Sequence, residues 1–471
     1  MLSSHKLILN SGITFGTSGA RGLVEDFTPD VCAAFALSFA EVMQNKNAFT
    51  TIAIAIDNRP SSYKMAQAIS SSLGERGIEV HFFGVIPTPA LAYYALQSKI
   101  PSIMVTGSHI PFDRNGLKFY GSDGEITKSD EVAILNADVE FNSLVNLPPL
   151  IYRDEAKSLY IKRNIDVFPS DLLVGKRIGI YEHSSAGRDI YCDIFESLGA
   201  EVIALGRSDE FVPIDTEAVS FEDKQLARAW VKEYKLNALF STDGDGDRPL
   251  LSGENGEWLR GDVLGLICSK LLNIEALSTP VSCNSAIEKS NSFKSVVRTK
   301  IGSPYVIDEF ENLTKKFATV AGFEANGGYL LASTVQVNGH SITPLPTRDA
   351  VLPAIVVLSQ LQQTTISRLV KSLPQRFTAS DRIKEFARDK SLQLIHNISQ
   401  NSSLWLPKLK LSNVLTNIDK TDGFRMTFEN GDIVHLRPSG NAPELRCYAE
   451  CSNQEEAEKL VQTVLNAIKT L

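Results

Sequence analysis

Two stretches of the 471-residue chain hold reactive side chains in close array. In Asp243-Gly244-Asp245-Gly246-Asp247-Arg248, three carboxylates alternate with glycines. Alternate residues of an extended loop point the same way, so all three can converge on one hard cation, and magnesium is the expected one. With Glu254, the same spacing fills positions one, three, five and twelve of a calcium-binding EF-hand loop. Against that, Arg248 stands where such a loop needs glycine, Pro249 follows, and both flanks read as strands. The other stretch, Thr106-Gly107-Ser108-His109-Ile110-Pro111, follows an apolar run ending at Val105. It reads as an exposed reactive serine at the rim of a sheet, with Gly107 giving backbone freedom and Pro111 stiffening the exit. A turn in which Ser108 bonds its own backbone and His109 is solvated explains the same six residues. On this stretch alone both readings stand.

Three further loops offer complementary groups. Gly12 to Gly22 holds four glycines, three hydroxyls and one cation, Arg21; small residues let backbone approach an anion, and an arginine offers forked donors. Gly322 to Tyr329 contains Glu324 and Asn326 among glycines. In Arg437-Pro438-Ser439-Gly440-Asn441-Ala442-Pro443-Glu444-Leu445-Arg446, hydroxyl and amide donors, a glycine and two flanking arginines suit a phosphate dianion. An ordinary polar turn accounts for Ser439, Gly440 and Asn441 but not for Arg437 and Arg446.

Alternating strands and helices must position these loops. Helix Asp30 to Gln44, strand Thr51 to Ile56, a helix from Ser61, strand Glu79 to Phe83, a helix over Ala90 to Leu96 and strand Ser102 to Val105 lead to the serine. Such alternation predicts a parallel sheet. The pattern recurs with strands Arg177 to Tyr181, Val202 to Leu205 and Ala238 to Ser241 before the aspartates. It recurs again with helix Gly261 to Leu272, strand Pro280 to Cys283, a helix around Tyr305 to Leu313 and strand Ala318 to Ala321 before Glu324. Three units that each place an apolar strand before a polar, glycine-bearing loop form a weak internal repeat. The last segment differs in kind, with a hairpin through Glu429-Asn430-Gly431 and a closing amphipathic helix from Gln454 to Ile468. The expected fold class is α/β: three similar mixed α/β domains (1–149, 150–257, 258–373) whose sheet-rim loops face one cleft, and a smaller α+β domain (374–471).

Composition narrows the class. With 43% hydrophobic and 22% charged residues the chain is neither disordered nor a membrane protein. No apolar run spans a bilayer and Met1 to Asn10 lacks a signal-peptide core, so a cytoplasmic location is expected. Six scattered cysteines without a Cys-x-x-Cys pair read as reduced thiols. A net charge of −8 argues against nucleic-acid binding and requires any cationic site to be gathered locally.

Taken together, in order, the loops resemble the α-D-phosphohexomutase superfamily, most closely its bacterial phosphomannomutase and phosphoglucomutase members. The resemblance runs from Arg21 to Arg446. It implies that Ser108 is the phosphoserine and a metal ligand beside Asp243, Asp245 and Asp247, which hold one Mg2+ per chain. It implies catalytic roles for Arg21, His109, Lys118 and Arg248, and substrate contacts from Glu324, Asn326, Arg437, Ser439, Gly440, Asn441 and Arg446. The activity implied is interconversion of hexose 1-phosphate and hexose 6-phosphate, mannose or glucose, through hexose 1,6-bisphosphate, by a monomer or homodimer. Alternatives are a phosphoglucosamine mutase, a magnesium-dependent sugar-phosphate phosphatase using the same serine, and a noncatalytic sensor.

The departures bear on mechanism. Ile110 follows His109 where asparagine is usual, and Ser439-Gly440-Asn441-Ala442-Pro443 replaces Ser-Gly-Thr-Glu-Pro; neither removes a required group. The sugar loop, Phe323-Glu324-Ala325-Asn326-Gly327-Gly328, lacks the histidine of Gly-Glu-x-Ser-Gly-His. Lys118, in Asn115-Gly116-Leu117-Lys118, then becomes the candidate for proton transfer or charge stabilisation, with His340 a minor one.

Overall fold

Ser102–Val105 and Ala238–Thr242 are buried at every position, as strands covered on both faces must be. In the computed structural model, which describes residues 1–16, 19–439 and 443–470, each is the third strand of a sheet. In the first sheet Glu79–Val85, Thr51–Ile56 and Ser102–Val105 run parallel, and Arg114–Gly121 returns antiparallel beside the last. Glu201–Leu205, Arg177–Tyr181, Ala238–Thr242 and the return strand Pro249–Gly253 repeat that order. So do Ser295–Thr299, Ala276–Pro280, Val320–Phe323 and Tyr329–Leu331, with Leu345–Asp349 added at the edge. The repeat is therefore one of topology, and the serine, aspartate and Glu324 loops are the hairpin connections at equivalent places.

The sheets are mixed rather than parallel, because every unit carries a return strand. In the first, Asn115 lies inside that strand, and its amide donates to the hydroxyls of Ser61 and Ser62. In the second, the strand read after the aspartates is Pro249–Gly253, with proline at its head, a place where it is tolerated. Two other elements shift: the strand expected over Pro280 to Cys283 is Ala276–Pro280, and the helix around Tyr305 is two short ones, Ser303–Asp308 and Phe310–Thr314. Because the aspartate loop joins antiparallel strands, an EF-hand is excluded, and Glu254 instead accepts from the Ser367 hydroxyl.

The fourth unit is an antiparallel sheet in the order Phe377–Ile383, Leu445–Cys451, Ile433–Pro438, Phe424–Phe428, Leu415–Asp419. Helix Gln454–Lys469 buries Val461, Val464, Leu465 and Ile468 in a core of this unit's own. A second, larger core is continuous through the other three units. Polar bonds join the fourth unit to the third: Glu450 accepts from Ser285 N–H (2.9 Å), the Arg376 carbonyl from Asn284 Nδ2 (2.8 Å), and Asp422 from Ile301 N–H (2.9 Å). The six cysteines are free. Among the described residues no helix is long and apolar enough to cross a membrane.

Two buried histidines bear on stability. His183 Nε2 donates to the Thr242 carbonyl (2.9 Å) and His435 Nε2 to that of Asp422 (2.6 Å), while neither Nδ1 has a partner among the described residues. Burial drives both from 6.5 to about 4. The unfolded chain thus takes up protons that the folded one refuses, and stability is lost as pH falls from about 6.5 to about 4. Urea denaturation across that window should show the decline, and His435→Gln should make it shallower; an unchanged slope would exclude His435 as a source.

Candidate functional site

Ser108 is fully buried, not exposed, and it sits in the left-handed region at φ 54°. The expected serine turn exists, but Thr106 makes it, accepting from Ser108 N–H at 2.7 Å. Ser108 Oγ is thereby left to donate to Asp243 Oδ2 at 2.7 Å. A left-handed serine costs about 1–3 kcal/mol and needs surroundings that enforce it. Arg59 does so. Its Nη1 donates to the carbonyls of Pro111 (2.7 Å) and Arg114 (2.8 Å), and its Nη2 to those of Ser108 (2.9 Å) and Ile110 (2.5 Å). Asp57 holds Arg59 Nε at 3.2 Å and also accepts from the Thr106 and Ser62 hydroxyls. Gly107 is not required for backbone freedom, since its φ is ordinary; a Cβ there would lie 2.6 Å from Arg59 Cζ. The Phe211 ring, from the second unit, lies 3.9 Å from the same guanidinium.

Around the serine, charges balance in a buried space. Asp243, Asp245 and Asp247 offer carboxylate oxygens within 4.8 Å of one another. Lys118 Nζ donates to Asp245 Oδ2 (2.5 Å) and Asp247 Oδ2 (2.6 Å). Burial alone would lower this lysine, but the two aspartates outweigh it and raise it. Lys118 is therefore an ammonium, able to donate and to stabilise charge but without a lone pair to accept a proton. Burial and the charges of Asp245 and Asp247 push Asp243 well above the carboxylate range, whereas Lys118 overcomes burial to hold Asp245 below it. Asp245 Oδ1 and Asp247 Oδ1 are buried without a hydrogen-bond partner among the described residues. Orphaned oxygens beside a carboxylate short of positive charge are what a hard-cation site offers.

The remaining candidates stand around this centre. Arg248 Nη1 donates to His109 Nδ1 at 2.8 Å, while its Nε lies 3.8 Å from Asp243 and 3.6 Å from Asp247. Burial, then Arg248 and Arg21, push His109 well below its usual range, so the ring is neutral with its proton on Nε2. The Arg21 side chain makes no hydrogen bond or ion pair among the described residues, and burial with Arg248 lowers it to about 10. Glu324 accepts from Arg348 Nε, and Thr216 Oγ1 donates to the Asn326 carbonyl at 2.7 Å. His340 is exposed on the short strand His340–Ile342 and makes none of these contacts.

In the fourth unit Arg437 Nε donates to Asp422 at 2.9 Å, Arg446 Nε lies 3.9 Å from Glu444, and Ser439 is buried. Gly440 and Asn441 lie outside the described residues. Glu217, next to Thr216, is pushed up by burial and by Asp215, against the opposing charges of Arg260, Arg446 and Arg248. Arg59, Arg348 and Glu217 carry no motif and were not legible as site residues. Only the run Asp57-Asn58-Arg59-Pro60, closing a buried strand, hinted at one of them.

A buried serine on a carboxylate triad ringed by arginine and lysine, at the meeting of three like hairpins, is an arrangement suited to phosphoryl transfer. Residues 12–141, 260–377 and 380–467 match the models of phosphoglucomutase/phosphomannomutase alpha/beta/alpha domain I, alpha/beta/alpha domain III and C-terminal domain. A phosphomannomutase of Salmonella muenchen is 56% identical over 99% of this chain and 98% of its own length. One of Sinorhizobium fredii is 41% identical over 96% and 97%. In fold, a phosphoglucomutase/phosphomannomutase family protein of Burkholderia thailandensis matches with a TM-score of 0.74 at 16% identity, over 100% of this chain and 98% of that one. The chain belongs to the phosphoglucomutase/phosphomannomutase family, and it is a phosphohexomutase, an isomerase that relocates a phosphoryl group.

Breaking the Arg59 clamp tests its place in the site. Arg59→Met keeps the stem but removes every donor and leaves Asp57 buried and unpaired, so unfolding free energy should drop by about 3 kcal/mol or more. Turnover should fall further than stability explains; urea denaturation and kcat on the same preparation check both.

Proposed function

We propose that the enzyme interconverts the 1- and 6-phosphates of mannose, and of glucose, through a phosphoserine at Ser108 and a hexose 1,6-bisphosphate. What supports this reading is the presence of two cationic groups, Lys118, Arg248 and Arg21 about Ser108, and Arg437 with Arg446 in the fourth unit. In the forward half, the P–O bond to Ser108 Oγ breaks as a bond forms to the free hydroxyl of the bound hexose phosphate, and the proton of that hydroxyl ends on Ser108 Oγ, the leaving oxygen. After the bisphosphate turns, the other phosphoryl returns to Oγ. Lys118, Arg248 and Arg21 stabilise the charge shared among the phosphoryl oxygens. Asp243, Asp245 and Asp247, with an oxygen at Ser108, would hold Mg2+, which supplies further neutralising charge when bound. Arg437, Ser439 and Arg446, with Gly440 and Asn441, grip the phosphate that is not reacting.

Glu324 and Asn326 read the sugar. In two orientations related by a flip, the 3- and 4-hydroxyls fall in nearly the same place, and a carboxylate can accept from both. Mannose and glucose share these hydroxyls and differ at C2, so this contact does not separate them. The preference for mannose follows the names of the two relatives. A phosphatase would need no second phosphate grip.

Intact-mass measurement should find an added phosphate on Ser108, and product analysis on a panel of hexose and hexosamine 1-phosphates should give 6-phosphates rather than free phosphate. Ser108→Ala should nearly abolish turnover while leaving the fold intact; normal activity in that variant would sink the phosphoserine route. Asp247→Asn should raise the magnesium requirement sharply, because carboxylate count sets affinity for a hard cation. Activity indifferent to chelators would refute the metal assignment.

A further inference from the structure

Arg348 lies in none of the loops that the sequence brings forward, yet its side chain is only 3% exposed and it touches two of them. It stands on the edge strand Leu345–Asp349, beside Tyr329–Leu331. Its neighbours fix its place: Thr347 Oγ1 donates to Glu125 at 2.8 Å, and Tyr160 OH donates to Asp349 at 2.6 Å. From there Nε donates to Glu324 Oε2, and Nη1 lies 3.9 Å from Asp247 Oδ2. Glu324 Oε1 makes no hydrogen bond among the described residues. The aliphatic stem runs against Gly328, where a Cβ would stand 2.6 Å from Arg348 Cδ and 2.7 Å from Cγ.

We infer that Arg348 is a positioning residue that divides the Glu324 carboxylate, committing Oε2 to the guanidinium and presenting Oε1 to the sugar, and that residue 328 is glycine to make room for it. The inference rests on the reading of Glu324 as the sugar-binding group. A glutamate has three rotatable bonds, and an acceptor free to swing follows a displaced hydroxyl instead of rejecting it. A planar guanidinium fixes the orientation of the carboxylate it holds; an ammonium supplies charge without direction. Discrimination between sugars that differ in the placing of one hydroxyl therefore depends on residue 348 being arginine, not merely cationic.

The test compares kcat and KM for mannose, glucose and galactose 1-phosphates. Wild-type enzyme should disfavour galactose, inverted at C4, by about tenfold or more in kcat/KM. Arg348→Lys, which keeps the charge, should raise KM for mannose and glucose phosphates while shrinking the galactose penalty to about threefold or less. Gly328→Ala should act in the same direction with Arg348 present, by forcing the stem aside. Added to Arg348→Ala it should cost nothing more, since a group that acts only through another shows full non-additivity. Circular dichroism establishes that each variant is folded. Native discrimination in Arg348→Lys, or a Gly328→Ala effect that adds in full to Arg348→Ala, overturns the proposal. Glu324→Gln separates the two levels: if it leaves the galactose penalty untouched, Glu324 does not read the sugar and both readings fall. If it abolishes the penalty while Arg348→Lys retains it, only the role of Arg348 falls.

Discussion

Three carboxylates that must be kept close together out of water dictate most of this architecture. Asp243, Asp245 and Asp247 are each essentially buried, and like charges in such a space survive only if cations are built in beside them. No single unit supplies enough of these. Lys118 comes from the return strand of the first sheet, Arg248 from the aspartate loop itself, and Arg348 from the edge of the third sheet. With Glu324 included, four carboxylates face Arg21, Lys118, Arg248 and Arg348. The centre thus holds as many cationic as anionic side chains, gathered from all three units.

Convergence on one point follows from repeating a topology. When a third parallel strand is joined to an antiparallel neighbour by a short hairpin, the hairpin must emerge at the carboxyl end of the parallel strands, where helix starts and loops already gather. Doing this three times and packing the units around a shared apolar core aims all three hairpins inward. Contacts between loops then set fine geometry. The Thr88 hydroxyl and amide, at the start of a helix of the first unit, meet Asp245 at 2.6 Å and 2.9 Å. Asn58 donates to the carbonyls of Ser184 and Ser185 across the same boundary.

The loops were legible in the sequence because their chemistry is local: alternating Asp and Gly, a serine between Gly107 and His109, two arginines around Ser439. The strands before them were legible because continuous apolar runs admit few other readings. What stayed hidden depends on partners far along the chain. Arg59 is one arginine after a strand until the carbonyls of Ser108 to Arg114 fold over it. Arg348 is one arginine on a short strand until Glu324 and Asp247 arrive. The missing histidine after Gly327 read as a lost acid or base, whereas Gly328 leaves space that the Arg348 stem fills. The burial of Ser108 was likewise invisible, since a loop between polar residues gives no hint that another unit will cover it.

The division of the hydrophobic core gives the two parts of the enzyme unequal tolerance to inherited change. One apolar cluster runs through the first three units, beside clusters confined to each, so a cavity opened in the shared cluster loosens packing on which the serine and aspartate hairpins both rest. The fourth unit keeps its own cluster and meets the third through polar bonds. A destabilising substitution at Val461 or Leu465 therefore loosens the fourth unit and leaves the serine and aspartate hairpins packed. Sequence drift can accordingly retune the fourth unit while the hairpins of the other three stay under the constraint of a core they hold in common.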